Sequence, residues 1–165
     1  MEKLILLFFI SLISCGSSNL EDQKSGDDEK ILLAYDYVSQ KYDGDILVSN
    51  TLVDIDIVNF AEEISKKQKR EMSKVLDSLI NAKEQYKYEK KKYPIKKLLK
   101  KSSKDGSMKL FFSIPQKDYI MVEAFKVEKD LSYDKLTLFG SSDVYLIYFK
   151  DNQILEKHQI KLDYN

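Results

Sequence analysis

The sequence predicts an α+β fold, because its two halves differ in the spacing of their apolar residues. In the first half these residues recur at helical intervals, whereas the second half holds short runs rich in β-branched and aromatic residues between turn formers. Helices followed by antiparallel strands are typical of this class. We therefore expect N-terminal helices, one long basic amphipathic helix and a mainly antiparallel sheet of about five strands.

The first helix is expected over Asp28–Tyr42, where the apolar residues lie close to helical spacing. Asp27 or Asp28 is suited to cap its N-terminus, because an aspartate side chain accepts a hydrogen bond from the free N–H groups of the first turn. Gly44 follows the helix, and glycine readily adopts the left-handed conformation that ends many helices.

The next segment, Ile46–Val58, is predicted to be a strand to about Asp54 and then to pass into a helix. A competing interpretation starts that helix at Asp56, because the apolar residues from Ile57 onward recur at helical intervals.

A long amphipathic helix is expected to follow, from Met72 to about Lys92. Pro94 sets its end, because a proline disfavours helical conformation at the residue before it. The apolar stripe of this helix consists of Met72, Val75, Leu76, Leu79, Ile80 and Tyr86.

Four further strands are expected in the second half of the chain. Asp151-Asn152 fits a two-residue hairpin turn, since both residue types tolerate positive φ, and Ile114–Asp118 is a second hairpin connection. Helices are expected on one face of the sheet. The run Val144–Lys150, however, carries apolar side chains on both of its faces. It is either a central strand covered on both faces or a strand with one tyrosine-rich exposed face. The predicted strands are Lys109–Ile114, Tyr119–Val127, Asp143–Lys150 and Gln153–Leu162.

The chain starts with a charged head and a short apolar run, Leu4–Ile13. Ten residues of helix rise about 15 Å, half the thickness of a bilayer core, so the run is too short to span a membrane and is typical of a signal peptide. Leu12-Ile13-Ser14-Cys15 resembles the lipobox of bacterial prolipoproteins, which implies cleavage before Cys15 and a diacylglyceryl anchor on its sulfur. An ordinary cleaved secretory signal and a buried N-terminal strand are the alternatives.

We therefore divide the chain into a cleaved lipoprotein signal peptide (1–14), a flexible tether (15–29) and a single α+β domain (30–165). Residues 16–29 contain one apolar residue, Leu20, which is too little to offset the entropy of ordering them. Their acidic residues resemble the export signals of Bacteroidetes surface lipoproteins, and the C-terminal strands resemble small uncharacterised lipoproteins of the same phylum. These resemblances imply the bacterial cell envelope, with the outer membrane favoured over the inner.

Charge is strongly segregated along the chain. Residues 15–61 carry three lysines against ten acids, whereas residues 62–104 carry fifteen lysines or arginines against six. The basic segment either pairs internally with the acidic one or contacts an anionic surface such as lipid; nucleic acid is a weak third option for an exported protein. The candidate contact residues are Lys87, Lys90, Lys91, Lys92, Lys96 and Lys97.

Few side chains indicate catalysis. His158, the one histidine, is expected to be a solvated strand residue, because no nucleophile elbow accompanies it. With Cys15 lipidated, too few ligands remain for a zinc site, and we expect neither a metal nor a cofactor. Asp54 and Asp56 would lie about 7 Å apart on one strand face, where they would suit an acid–base pair. Alternatively they form the wet face of an edge strand, or Asp56 caps the next helix.

Two functions follow. The first is a membrane-anchored envelope lipoprotein that acts as a non-enzymatic binding or accessory module, with an envelope protein, a polysaccharide or a small molecule as its ligand. The second is a small hydrolase that uses carboxylates such as Asp54 and Asp56, which would have to lie together in a concave pocket.

Overall fold

The computed structural model describes residues 18–84, 92–100 and 106–164, with side chains from Lys24 onward. The helices are α1 (Ser18–Ser39), α2 (Ala61–Gln68), α3 (Met72–Glu84), α4 (Ile95–Leu98) and α5 (Tyr133–Leu136), and a 3-10 turn at Ile57–Phe60 leads into α2. The strands are β1 (Ile46–Val48), β2 (Met108–Phe112), β3 (Tyr119–Lys126), β4 (Ser141–Lys150) and β5 (Gln153–Asp163).

The five strands form one sheet in the order β1-β2-β3-β4-β5. Strand β1 is parallel to β2, and every other neighbouring pair is antiparallel. The predicted α+β class and the mainly antiparallel sheet are therefore confirmed. The turn between β4 and β5 is also the expected one: Asp151 and Asn152 have φ values of 50° and 58°, which match the right-handed twist of the strands they join.

Helices cover both faces of the sheet. Of the two alternatives for Val144–Lys150, the central strand covered on both faces is therefore the right one, and the expectation of helices on one face was wrong. Strands β3 and β4 are apolar on both sides, and burial of each such side chain contributes about 1.5–3 kcal/mol, which an open face would forfeit. Toward α1 and α4 they turn Ile120, Val122, Tyr145 and Ile147, and toward α2 and α3 they turn Met121, Phe125, Val144 and Leu146.

The N-terminal segment differs from the prediction. Helix α1 begins at Ser18, ten residues before Asp28, so the supposed flexible tether is helical from Ser18 onward. Ile31, Ala34, Tyr35 and Val38 bury one side of α1 against the sheet. Once packing has formed these turns, each further residue adds a hydrogen bond at low entropic cost, and the helix extends backwards. Gly44 has the left-handed φ expected of it, 87°, but α1 ends at Ser39, before the predicted end at Tyr42.

The segment after β1 also departs from expectation. The strand ends at Val48, and beyond it only Thr51 and Val53 make isolated bridges, to Lys92 and Ser113. The competing interpretation of the following turn was right, because Asp56 Oδ1 accepts the Val58 N–H at 3.0 Å and caps the 3-10 turn.

Helix α3 begins at Met72, as predicted, and its described part ends at Glu84. The expected continuation lies in residues 85–91, outside the described ranges, but Lys92 is bridged to Thr51 and is not helical. Only part of the predicted stripe is buried: Val75 and Leu79 face the core, whereas Met72 and Ile80 are 45% and 39% exposed.

Candidate functional site: a cleft beside the sheet edge

The basic contact surface is described only in part. Cys15, Lys87, Lys90 and Lys91 lie outside the described residues. Lys92 forms the bridge to Thr51, whereas Lys96 and Lys97 belong to the short helix α4. The backbone N–H of Lys96 donates to Asn50 Oδ1 at 2.9 Å, so this segment is fastened to the turn that follows β1.

Asp54 and Asp56 have different surroundings. Asp56 caps the 3-10 turn through Oδ1 and binds Lys83 Nζ through Oδ2 at 2.6 Å. That contact raises the pKa of Lys83. Asp54 instead lines a cleft that Asp56 does not reach. The two carboxylates therefore do not converge on one pocket.

His158 is buried, with 2% of its surface exposed, so the expectation of a solvated histidine was wrong. Helix α2 packs against β5 and covers His158. Glu63 of α2 lies 4.0 Å from Nδ1 of the ring, and Glu156 of β5 lies 3.2 Å from Nε2. Within the described residues neither ring nitrogen has a hydrogen bond of good geometry. Burial lowers the pKa of His158, and the nearby Lys67 ammonium lowers it further.

A cleft of about 490 Å³ opens beside the β1 edge of the sheet. Backbone hydrogen bonds to β2 hold one wall: Ser49 N–H donates to the Leu110 carbonyl, and Val53 N–H donates to the Phe112 carbonyl, both at 2.9 Å. The other wall is the loop that follows β3 and leads into α5. The cleft is lined by Ser49, Thr51, Val53, Asp54, Lys109, Phe111, Asp130, Leu131, Ser132, Tyr133 and Asp134.

Lys109 supplies an ammonium to this cleft from a nearly buried position on β2. Its Nζ donates to the Asp130 carboxylate and to the Leu131 carbonyl, and it lies 5.0 Å from the centre of the Phe111 ring. The ion pair lowers the pKa of Asp130. A buried charge is stable only when such partners replace water, so Lys109 ties the loop to the sheet and fixes the cleft wall.

Tyr133 connects the cleft to a buried carboxylate behind it. Its hydroxyl donates to Glu123 Oε2 at 2.7 Å, while Ser142 and Tyr164 donate to Oε1 at 2.6 and 2.5 Å. Glu123 is fully buried on β3. Burial and the adjacent carboxylate raise the pKa values of Tyr133 and Tyr164, so both keep their hydroxyl protons and remain donors.

Sequence reasoning missed Lys109, Glu123 and Tyr133. One signal was available, since Glu123 interrupts the apolar strand Tyr119–Val127, and an acid in such a strand is seldom buried without partners. The partners themselves come from α5, β4 and the C-terminal end, and no local pattern joins these places.

The cleft therefore combines one fixed ammonium, hydroxyls, carboxylates and aromatic side chains, which together suit a small polar ligand. No protein family, characterised protein or solved structure matches this chain. Within the described residues, no three His, Cys, Asp or Glu side chains are grouped so as to hold a metal ion. No helix in the same part of the chain is long and apolar enough to cross a membrane.

Proposed function

We propose that this protein is a lipid-anchored lipoprotein of the bacterial cell envelope, in the outer membrane, and that its domain is a non-enzymatic module that binds a small polar molecule or a polysaccharide end in the cleft. The cleft carries this proposal. It places fixed polar groups beside aromatic side chains, the composition of a recognition site.

The anchor rests on the sequence. Leu12-Ile13-Ser14-Cys15 has the lipobox pattern, and Cys15 is the only cysteine of the chain. Helix α1 begins three residues after it, so a lipid on Cys15 would be joined to the domain through this helix. The twelve helical residues before Lys30 rise about 18 Å.

The course of α1 favours a cleft that is open to ligand. Near its middle, Lys30 Nζ donates to the Gln116 carbonyl in the turn before β3. Beyond its end, Tyr42 donates to Asp143, at the opposite end of the sheet. Lys109, which lines the cleft, is the register partner of Phe125 and lies close to that second end. Helix α1 packs on one face of the sheet, and Phe111 of the cleft belongs to the other face, so a lipid at the start of α1 would leave the cleft uncovered.

Two of the candidate carboxylates, Asp56 and Glu123, have structural partners that argue against hydrolysis. Asp56 is used as a helix cap and as the partner of Lys83, and Glu123 is enclosed behind Tyr133 by three hydroxyl donors. A general acid or base must reach its substrate, and neither group faces open space in the cleft.

The anchor is tested by membrane fractionation of cells that make the wild type or Cys15→Ala. The wild type is expected to fractionate with the outer membrane and to resist extraction by salt, whereas Cys15→Ala is released or retained as an unprocessed precursor. If Cys15→Ala fractionated as a processed protein bound as firmly as the wild type, the anchor proposal would fail.

The cleft is tested with a photo-reactive amino acid at Ser132, which is exposed and lines the cleft. The matched control is the same amino acid at Ser73, exposed on α3 and outside the cleft. After irradiation of whole cells, intact mass spectrometry is expected to show a discrete small-molecule adduct at position 132 only. The unmodified mass at both positions would contradict a binding cleft.

A further inference from the structure

A second surface lies on the opposite face of the sheet, where α1 crosses β4 and β5. Tyr37 of α1 packs edge-on against Tyr145 of β4, with 6.2 Å between ring centres. Tyr37 is half-buried, whereas Lys41 and Lys157 on either side of it are exposed. The cleft described above lies on the α2 and α3 face, so the two regions are separated by the sheet itself.

Two ammonium groups converge on this one tyrosine. Lys41 Nζ lies 5.0 Å and Lys157 Nζ lies 4.7 Å from the centre of the Tyr37 ring. Each distance is within the range of a cation–π contact. The ring attracts both cations, but it has no net charge to cancel the repulsion between them.

No carboxylate of the described residues forms an ion pair with either ammonium, that of Lys41 or that of Lys157. Asp143 lies on the same face, where its oxygens accept from the Tyr42 hydroxyl at 3.0 Å and the Gln159 amide at 3.5 Å, and the sheet register places it opposite Lys161. The surface therefore holds two adjacent positive charges whose natural partner is an anion from outside.

Strand β5 extends this site into a shelf. Alternate residues of a strand share one face, so Lys157 is followed on the same side by Gln159 and Lys161, all three exposed. Lys157 and Lys161 are about 13 Å apart along the strand. An extended chain that carries repeated negative charges fits such a row of donors.

We propose that this shelf binds an anionic polysaccharide, with acidic groups of the polymer pairing with Lys41 and Lys157 on either side of Tyr37. A protein partner fits less well, because the cores of protein interfaces are depleted in lysine and need a cluster of apolar side chains. Leu155, 65% exposed, is the one large apolar side chain on the outward face of β5 within its described residues. This site is additional to the cleft and does not depend on it.

The test is affinity electrophoresis of the full-length protein in gels that contain polygalacturonate, with uncharged dextran as the matched polymer. Retardation is expected in polygalacturonate and not in dextran. Loss of charge-assisted contacts in the double variant Lys41→Gln/Lys157→Gln is expected to weaken the interaction about tenfold or more. Each single variant, Lys41→Gln or Lys157→Gln, should also weaken the interaction, whereas Lys117→Gln removes one charge from an exposed turn elsewhere and should leave retardation unchanged.

Three results would overturn the proposal. If Lys117→Gln weakened the interaction as much as Lys41→Gln or Lys157→Gln did, only the net charge of the protein would matter. Tighter binding to vesicles of phosphatidylglycerol would assign the shelf to a lipid surface, and tighter binding to polyglutamate would assign it to an acidic protein. Thermal unfolding of each variant at the wild-type temperature would show that the loss is not one of folding.

Discussion

The two faces of the sheet differ in whether their charged side chains have partners within the protein. On the cleft face, Lys109 is paired with Asp130 and the Leu131 carbonyl, and Glu123 accepts from three hydroxyls. On the α1 face, Lys41 and Lys157 face each other across Tyr37 with no described carboxylate beside them. Buried charges require partners to exist at all, whereas exposed ones rely on water. The first arrangement therefore shapes the fold, and the second is available to a ligand.

The largest expected effect is on the buried carboxylate. Glu123→Ala leaves the hydroxyls of Tyr133, Ser142 and Tyr164 without their acceptor and opens a cavity, so we expect a loss of about 3–5 kcal/mol in the free energy of unfolding, measured by urea denaturation. Glu123→Gln, which keeps one acceptor oxygen, should cost clearly less. A loss below about 1 kcal/mol for the alanine variant would mean that the network adds little.

The ion pair at the cleft wall should matter less. Lys109→Met keeps most of the packed side-chain stem and removes the ammonium, while Asp130, with half of its side chain exposed, can be solvated instead. We expect a loss of about 1–2 kcal/mol in the free energy of unfolding. The pKa of Asp130 should rise toward its ordinary value, because the ammonium that lowers it is gone. Side-chain carboxyl NMR titration measures that shift, and an unmoved pKa would contradict the pairing.

The buried position of His158 makes the free energy of unfolding depend on pH. Because burial lowers its folded-state pKa, the unfolded chain takes up a proton below about pH 6.5 that the folded chain does not. The contribution is complete above that pH and is lost as the pH falls. The urea midpoint of the wild type should therefore drop between pH 7.5 and 5.5 more than that of His158→Gln. Parallel pH profiles for the two proteins would show that His158 does not titrate differently on folding.

The smallest effect is expected at the exposed shelf. Lys157→Gln removes a solvated charge, so the free energy of unfolding should change by less than about 0.5 kcal/mol, in contrast with Lys109→Met. Differential scanning calorimetry of the two variants makes the comparison. A large destabilisation by Lys157→Gln would show that this ammonium supports the fold and would weaken the distinction between the two faces.

Most of the strands were predictable, because runs of β-branched and aromatic residues between turn formers are a property of consecutive residues. The four later strands lie close to their predicted positions, and Asp151-Asn152 turns as its residue types require. Helix boundaries were less predictable. The composition of residues 18–29 favours a flexible chain. They are helical nonetheless, because Ile31 to Val38 pack on the sheet and the helix formed there extends toward the N-terminus.

The candidate site was hardly predictable. Of the residues singled out in the sequence, Asp54 lines the cleft and Asp56 caps a turn, while Cys15, Lys87, Lys90 and Lys91 lie outside the described residues. The groups that build the site are Lys109, Glu123 and Tyr133, and their structural roles depend on partners that are distant in sequence. The lipobox at Cys15 remains a prediction of the sequence that the fractionation experiment tests.

The sequence by itself determined the α+β class, the four later strands and the hairpin turn, because β-branched and aromatic runs and tolerance of positive φ are local properties. Only the tertiary structure decided that helices cover both faces, that α2 buries His158, that Glu123 meets hydroxyls from three elements and that Lys41 and Lys157 meet at Tyr37. Such contacts join residues far apart along the chain, and burial, which depends on all of them at once, sets which charges are paired and which remain for a ligand.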